Sequence, residues 1–411
     1  MTGLDLGFVR AQFPAFADPD VARWAHLENA GGSYAAGQVV DLLTDLFATA
    51  KVQPEWDFGP SKKASAAMGR ARTAMAATFN ADPDEIHFGP STSQNTYVLA
   101  QAMRPRWDDG DEIVVTEQDH EANSGAWRRL ADTGIVVREW RVDPLTGLLD
   151  PADLDALVGE RTRLVAMTHA SNVAATINDV RRAADLVHAV GGHIVVDGVS
   201  YAPHGGVDVA ALDCDVYLYS AYKTYGPHVG MMYTRRSLLE SVAHQGHYFN
   251  EPHLDTRVTP AGPDHAVIGA CAGMVDYYDA LHAHHVGGDA TAVERIAAVG
   301  ELFGAHESAL MAPLVAMLLD RDDVHLVGAP VADATVRAPT IAFHTPKVSS
   351  RSIYDALIAA EVSCGHGHFY AHRLVSALGL DPEDGVVRVS MVHYNTHDEV
   401  ARALTVLDDV L

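Results

Sequence analysis

The chain predicts an α/β fold, with a mostly parallel, seven-stranded sheet in a large domain and a smaller α+β domain beside it. Three observations carry that expectation. Short apolar runs alternate with longer helical stretches from about residue 26 to 270, the pattern of a parallel sheet covered by helices. At 411 residues the chain is long enough for a large core and two domains. Polar and charged residues sit at the carboxyl ends of the apolar runs, where ligands of such sheets collect.

Residues 1 to about 25 read as a short amphipathic helix, with Leu6, Phe8, Val9 and Phe13 available for packing. Strands are expected at 85–88, 112–116, 136–142, 164–169, 193–197, 216–220 and 229–233. Residues 246–263, rich in His, Gly and Pro, read as a long loop or a connection between domains. The remainder begins with long helical patterns and ends in a strand at 386–390 and a closing helix. This places the large domain at 26–270 and assigns 1–25 with 271–411 to the small one.

Composition narrows the class. With 48% hydrophobic and 20% charged residues the chain is an ordinary soluble globular protein. A net charge of −25 argues against wrapping nucleic acid or an anionic membrane, both of which need clustered positive charge. No apolar stretch is read as approaching the ~18 residues of a membrane span. The amino terminus shows neither a basic leader nor an apolar signal core, so the cytoplasm is the expected compartment. Three widely spaced cysteines do not form a disulfide framework.

Lys223 is the first candidate catalytic residue. It closes Ser220-Ala221-Tyr222-Lys223 directly after an apolar strand, and it is one of only five lysines among 29 basic residues. A lone lysine delivered there, beside a serine and a tyrosine, suits a Schiff base to pyridoxal phosphate (PLP). By itself it reads more readily as a solvated loop lysine; its companions overturn that. Asp197 ends the preceding buried run, where a carboxylate would keep a pyridine nitrogen protonated. Ser91, Thr92 and Ser93 open a helical stretch, an arrangement of hydroxyls and free N–H groups that suits a phosphate. His120 and Asn172 follow two further strands, where an imidazole would stack on the ring and an amide would reach its phenolic oxygen.

In register, these segments resemble the class V aminotransferase family of fold-type I PLP enzymes, nearest the group II cysteine desulfurases and selenocysteine lyases. The resemblance runs through seven segments. They are Leu27 to Gly32, Phe88 to Ala100, Asp119 to Asn123 with Trp127, Thr168 to Val173, Val196 to Gly198, Ser220 to Pro227, and Arg388 to Ser390 with Tyr394 to Thr396. It implies that Lys223 carries the cofactor and shuttles a proton, with Asp197 at the pyridinium, His120 stacked and Asn172 at the ring oxygen. It places Thr92, Ser93 and Ser220 at the phosphate, with Ser91 and Ser200 nearby and Tyr222 where the family usually has a histidine. Ala30, Gly31, Asn123 and His366 then border the substrate, and Arg388 clamps its α-carboxylate. It also implies a homodimer, a small amino-acid substrate and a sulfur-acceptor protein as partner.

The pattern breaks at 362–369. Where group II desulfurases carry an arginine and a nucleophilic cysteine, this chain has Ser363 and His368, and Cys364 is displaced to the residue before Gly365. Cys364 stays a candidate nucleophile only if the loop takes another path. Cys364, His366 and His368 alternate and could hold a metal, but the glycines suit an active-site loop, so no metal is expected. Ser200 replaces a common glutamine, and Pro263 replaces a threonine that contacts the neighbouring subunit's phosphate. The leading expectation is cysteine desulfurase-like or C–S lyase chemistry; the alternative is an aminotransferase or epimerase acting on a small-molecule amine.

Overall fold

The computed structural model describes residues 3–262 and 264–411, so Pro263 lies outside the described residues. The first strand, β1 (Ala25–His26), pairs in parallel with β11 (Val362–Ser363), far along the chain. The large sheet follows, built from β2 (Ile86–Gly89), β3 (Glu112–Thr116), β4 (Val136–Trp140), β5 (Thr162–Thr168), β6 (His193–Asp197), β7 (Val216–Ser220) and β8 (Gly230–Thr234). Each falls within a few residues of its predicted position. Their order is β2-β8-β7-β6-β5-β3-β4, and β8 runs antiparallel to both of its neighbours while the rest are parallel.

That order reverses between β3 and β5. After β3 the chain builds outward to β4, then returns to the other side of β3 for β5, β6 and β7. The gap left at such a switch point, beyond the carboxyl ends of the strands, is where an open α/β sheet holds its ligand.

Both faces of the central strands are covered, so their alternating residues enter two cores. Val165, Met167, Ile194, Val196, Tyr217 and Tyr219 face one core, with Met75 and Phe79 of the helix Gly59–Phe79. Leu164, Ala166, Val195, Val216 and Leu218 face the other, with Leu99 and Met103 of the helix Thr92–Met103.

A four-stranded antiparallel sheet makes the second unit, in the order β12 (Gly365–Gly367), β13 (Val386–Ser390), β10 (Thr340–His344), β9 (His325–Val327). Its core takes Val387 and Val389 together with Ala25 and Leu27 from the start of the chain.

Two expectations are corrected. The first 25 residues are not one helix but three short pieces, Leu6–Ala11, a 3-10 turn Pro14–Ala17 and Pro19–Ala22. Pro14 and Pro19 each start a new piece because proline suits a first turn and breaks an interior. Val9 and Phe13 are buried as expected, and Phe13 sits edge-on against Tyr277 at 5.2 Å and Tyr394 at 4.9 Å. Secondly, one helix is long and apolar enough to cross a membrane: Ala292–Leu319, 28 residues, with mean hydropathy 1.5 over its most apolar stretch. It packs as a core helix, with Phe303 in the large-sheet core and Leu310, Leu314 and Leu318 in the small-sheet core.

Candidate active site

Four strand ends converge at the switch point. His120 follows β3, Asn172 follows β5, Asp197 ends β6, and Lys223 closes the 3-10 turn Ala221–Lys223 after β7. One cavity is lined by all four, and by Ser91, Thr92, Ser93, Ser200, Ser220 and Tyr222.

Lys223 is buried, and that burial pushes its ammonium down to about 8; Arg388 adds to the shift, while Asp197 and Glu28 oppose it. Asp197 is also buried. Its Oδ1 accepts the Val199 N–H at 3.0 Å, yet burial still raises its carboxyl above the usual range. His120 caps its own turn, Nδ1 accepting from Ala122 N at 3.0 Å. Burial, with Lys223 and Arg388 nearby, lowers its imidazolium to about 3, so the ring is neutral. Asn172 donates from Nδ2 to the Phe369 carbonyl at 2.8 Å, and its Oδ1 is buried without a partner.

The turn that opens the helix Thr92–Met103 is built by close approach. The helix Thr92–Met103 is capped by Ser91, whose Oγ accepts Gln94 N at 3.2 Å. A Cβ on Gly230 would stand 2.4 Å from the Ser91 carbonyl carbon, so only glycine lets this helix start sit directly on β8. Ser91, Thr92 and Ser93 then line the cavity together at the start of this helix.

This donor set fits PLP. Serine and threonine hydroxyls at a helix N-terminus suit its phosphate, and a buried carboxylate with a raised pKa is relieved by a pyridinium N–H. Asn172 lines the same cavity, and its Nδ2, which already donates one hydrogen to the Phe369 carbonyl, is the atom able to donate to a ring oxygen. Lys223, its ammonium lowered to about 8 by burial, is the amine in this cavity that could form the covalent attachment.

Several predicted residues lie elsewhere. Asn123 is fully buried and committed to internal bonds, donating to Asp119 at 2.9 Å and accepting from Trp127 at 3.2 Å, so it supports the His120 turn instead of meeting substrate. Cys364 is packed in the small-sheet core, and burial, with Glu28 nearby, pushes its thiol up to about 12, the reverse of an activated nucleophile. His366 turns to the Asp384 carbonyl at 3.3 Å and to the Tyr354 ring, away from the cavity. Ala30 donates its N–H to Ser390 Oγ at 2.8 Å, and Gly31 closes a turn onto the Glu28 carbonyl at 3.1 Å. Both stand two or three residues after Glu28 in the chain, not on the cavity wall. Among the described residues no three His, Cys, Asp or Glu side chains gather as a metal site.

Other residues were not singled out from the sequence. His228 lines the cavity and stacks on Tyr222, rings 4.6 Å apart and 9° from parallel. Phe369 lies under the Arg388 guanidinium at 3.8 Å, and Tyr370 tilts over His120 at 5.2 Å. Phe369 and Tyr370 are consecutive left-handed residues, φ 49° and 61°, which turn this loop over the site. Arg388 itself donates from Nη1 to the Asn172 carbonyl at 3.1 Å and from Nη2 to Glu28 Oε1 at 2.6 Å.

Comparison with known proteins identifies the family and the fold. The chain is 34% identical to the aminotransferase-like protein FGM3 of Gibberella zeae, over 98% of each chain. It is 30% identical to a probable cysteine desulfurase of Pseudomonas aeruginosa, covering 97% of this chain and 96% of that one. Its fold matches the cysteine desulfurase of Thermococcus onnurineus NA1 with a TM-score of 0.85 at 22% identity, over 100% and 99% of the two chains. The Aminotransferase class-V sequence profile matches residues 25–403, and the chain belongs to that family of PLP-dependent enzymes.

Proposed function

We propose that the enzyme cleaves the Cβ–S bond of cysteine or a closely related amino acid by elimination, with Lys223 moving the proton. The observation that carries this reading is a cavity holding Lys223, Asp197 and His120, with no cysteine among the described residues that line it. A persulfide route needs a thiolate within reach, and Cys364 is buried in another core.

Bound PLP supplies an electron sink that makes the α-proton of an attached amino acid acidic. The chain's residues do the rest. Lys223 takes the α-proton as a neutral amine and returns it to the departing sulfur. Asp197 would keep the cofactor's ring nitrogen protonated, and the neutral His120 imidazole would pack on the ring without adding charge. Arg388 orients the α-carboxylate. The balance closes without an oxidant: cysteine yields hydrogen sulfide and 2-aminoacrylate, which water converts to pyruvate and ammonia.

The test is a product assay on the PLP-loaded enzyme with L-cysteine, beside Cys364→Ala. The reading expects sulfide and pyruvate in equal amounts from both proteins. Alanine as product, lost in Cys364→Ala, would establish the persulfide route and with it a sulfur-acceptor protein. No sulfur product from any thiol or thioether amino acid would remove C–S cleavage. The second reading, an aminotransferase or epimerase, draws on the same absent thiol and on the name of the Gibberella relative. It would show as exchange of a substrate α-proton with solvent and no sulfide. We further propose a cytoplasmic homodimer; three free, buried cysteines suit a reducing compartment.

A further inference from the structure

We propose that Glu28 is an internal competitor for the substrate's carboxylate, and so sets how tightly and how selectively Arg388 binds its ligands. This rests on Arg388 as the carboxylate clamp of the proposed reaction. The Arg388 side chain is 3% exposed and lies on β13 between β12 and β10. Its Nη1 is taken by the Asn172 carbonyl and its Nη2 by Glu28 Oε1. Its Nε is buried without a partner, and so is Glu28 Oε2.

The ion pair is therefore half made. A guanidinium and a carboxylate that meet freely form two parallel bonds, the Nε–H and one Nη2–H on the two oxygens. Here one donor and one acceptor are left over, each buried, and each costs free energy for that reason. Glu28 is held to the poorer geometry by its backbone. It bridges Ser390 of β13, the preceding Leu27 is fully buried, and its carbonyl closes the turn to Gly31.

The surroundings leave room for this carboxylate. A Cβ on Gly31 would stand 2.6 Å from Glu28 Oε1, and one on Gly365 would stand 3.5 Å from its Cδ. The Glu28 side chain is 26% exposed, so it has a way out that Arg388 lacks. Glu28 neutralises the buried guanidinium while the site waits, and a substrate carboxylate able to use both Nε and Nη2 displaces it. A ligand without a carboxylate cannot make that exchange.

Two probes with neither an amine nor a thiol, propionate and propionamide, cannot react at the Lys223 Schiff base and separate this idea from the chemistry. Calorimetric binding to the PLP-loaded enzyme should show Glu28→Gln taking the acid about tenfold more tightly than wild type, with the amide unchanged. Glu28→Asp keeps the charge but is one methylene shorter, and should also tighten acid binding. The gain should vanish in an Arg388→Lys background. Equal or weaker acid binding by Glu28→Gln overturns the proposal. A gain in Glu28→Gln that Glu28→Asp does not share overturns it too, because charge at a distance would then explain the effect. Loss of sulfide release alongside the expected binding pattern would sink C–S cleavage and leave the competitor standing. Sulfide release without that pattern would do the opposite.

Discussion

Lys223 is a buried amine whose companions were chosen by position in the sheet. Burial lowers its ammonium to about 8, Arg388 pushing the same way, and only the neutral amine attacks a carbonyl. Capture of PLP by the cofactor-free protein should therefore speed up about tenfold per pH unit below pH 8 and level off above it. Stopped-flow absorbance across pH 6–10 would read this, and a rate flat in that range would contradict the burial argument. The stability sign follows from the same shift. Between about 8 and the ordinary lysine value the unfolded chain binds more protons than the folded one, so this residue adds stability as pH rises through that window. Lys223, Asp197, His120 and Asn172 were legible because each closes or follows an apolar run, and strand ends are where this topology places ligands. Glu28 was hidden although its segment had been singled out, since nothing in linear spacing says that its carboxylate reaches Arg388, 360 residues away. Asn123 and Cys364 were misplaced for the converse reason: motif position does not reveal whether a side chain faces a cavity or a core.

At the scale of elements, the proposed phosphate site depends on one close contact. The helix Thr92–Met103 starts so near β8 that a Cβ on Gly230 would meet main-chain carbon and nitrogen of Ser91 and Thr92 at 2.4 and 2.6 Å. Backbone cannot rotate away as a side chain can, so Gly230→Ala must move the helix start. We expect PLP affinity to fall by tenfold or more, with a lower melting temperature. Gly69 offers the contrast: it is exposed inside the helix Gly59–Phe79 and a Cβ there meets nothing within 4 Å. Gly69→Ala should stabilise by roughly 0.5–1 kcal/mol and leave PLP binding as it was. Fluorescence titration and thermal melting of both variants would check the pair; equal PLP affinities would show that the helix start tolerates displacement. The strands of the large sheet were readable because two-sided burial writes continuous apolar runs. The amino-terminal segment was not, since Leu6 to Phe13 carry a helical spacing that Pro14 and Pro19 interrupt.

For the whole molecule, the site belongs to neither sheet alone. Asn172 and Lys223 come from the large sheet, Arg388 from the small one, and Glu28 from the segment that opens the chain, so carboxylate binding reads the relation between the two units. The helix Ala292–Leu319, packed into both cores, ties that relation down. The surface then bears on assembly. Trp56 and Phe58, on an irregular segment, are 63% and 49% exposed, and Tyr248 and Phe249, in the 3-10 turn Tyr248–Asn250, are 87% and 64% exposed. Four large aromatics left in water are costly for an isolated chain and suit a covered surface. Under the proposed homodimer, light scattering should give twice the 44.0 kDa chain mass. Trp56→Ser combined with Phe249→Ser should raise the monomer fraction, because both apolar faces would lose the area that drives association. A mass of one chain at micromolar concentration would remove the dimer. It would also leave the aromatics of 56–58 and 248–249 to some other partner, while the cavity around Lys223, drawn from a single chain, would keep its chemistry.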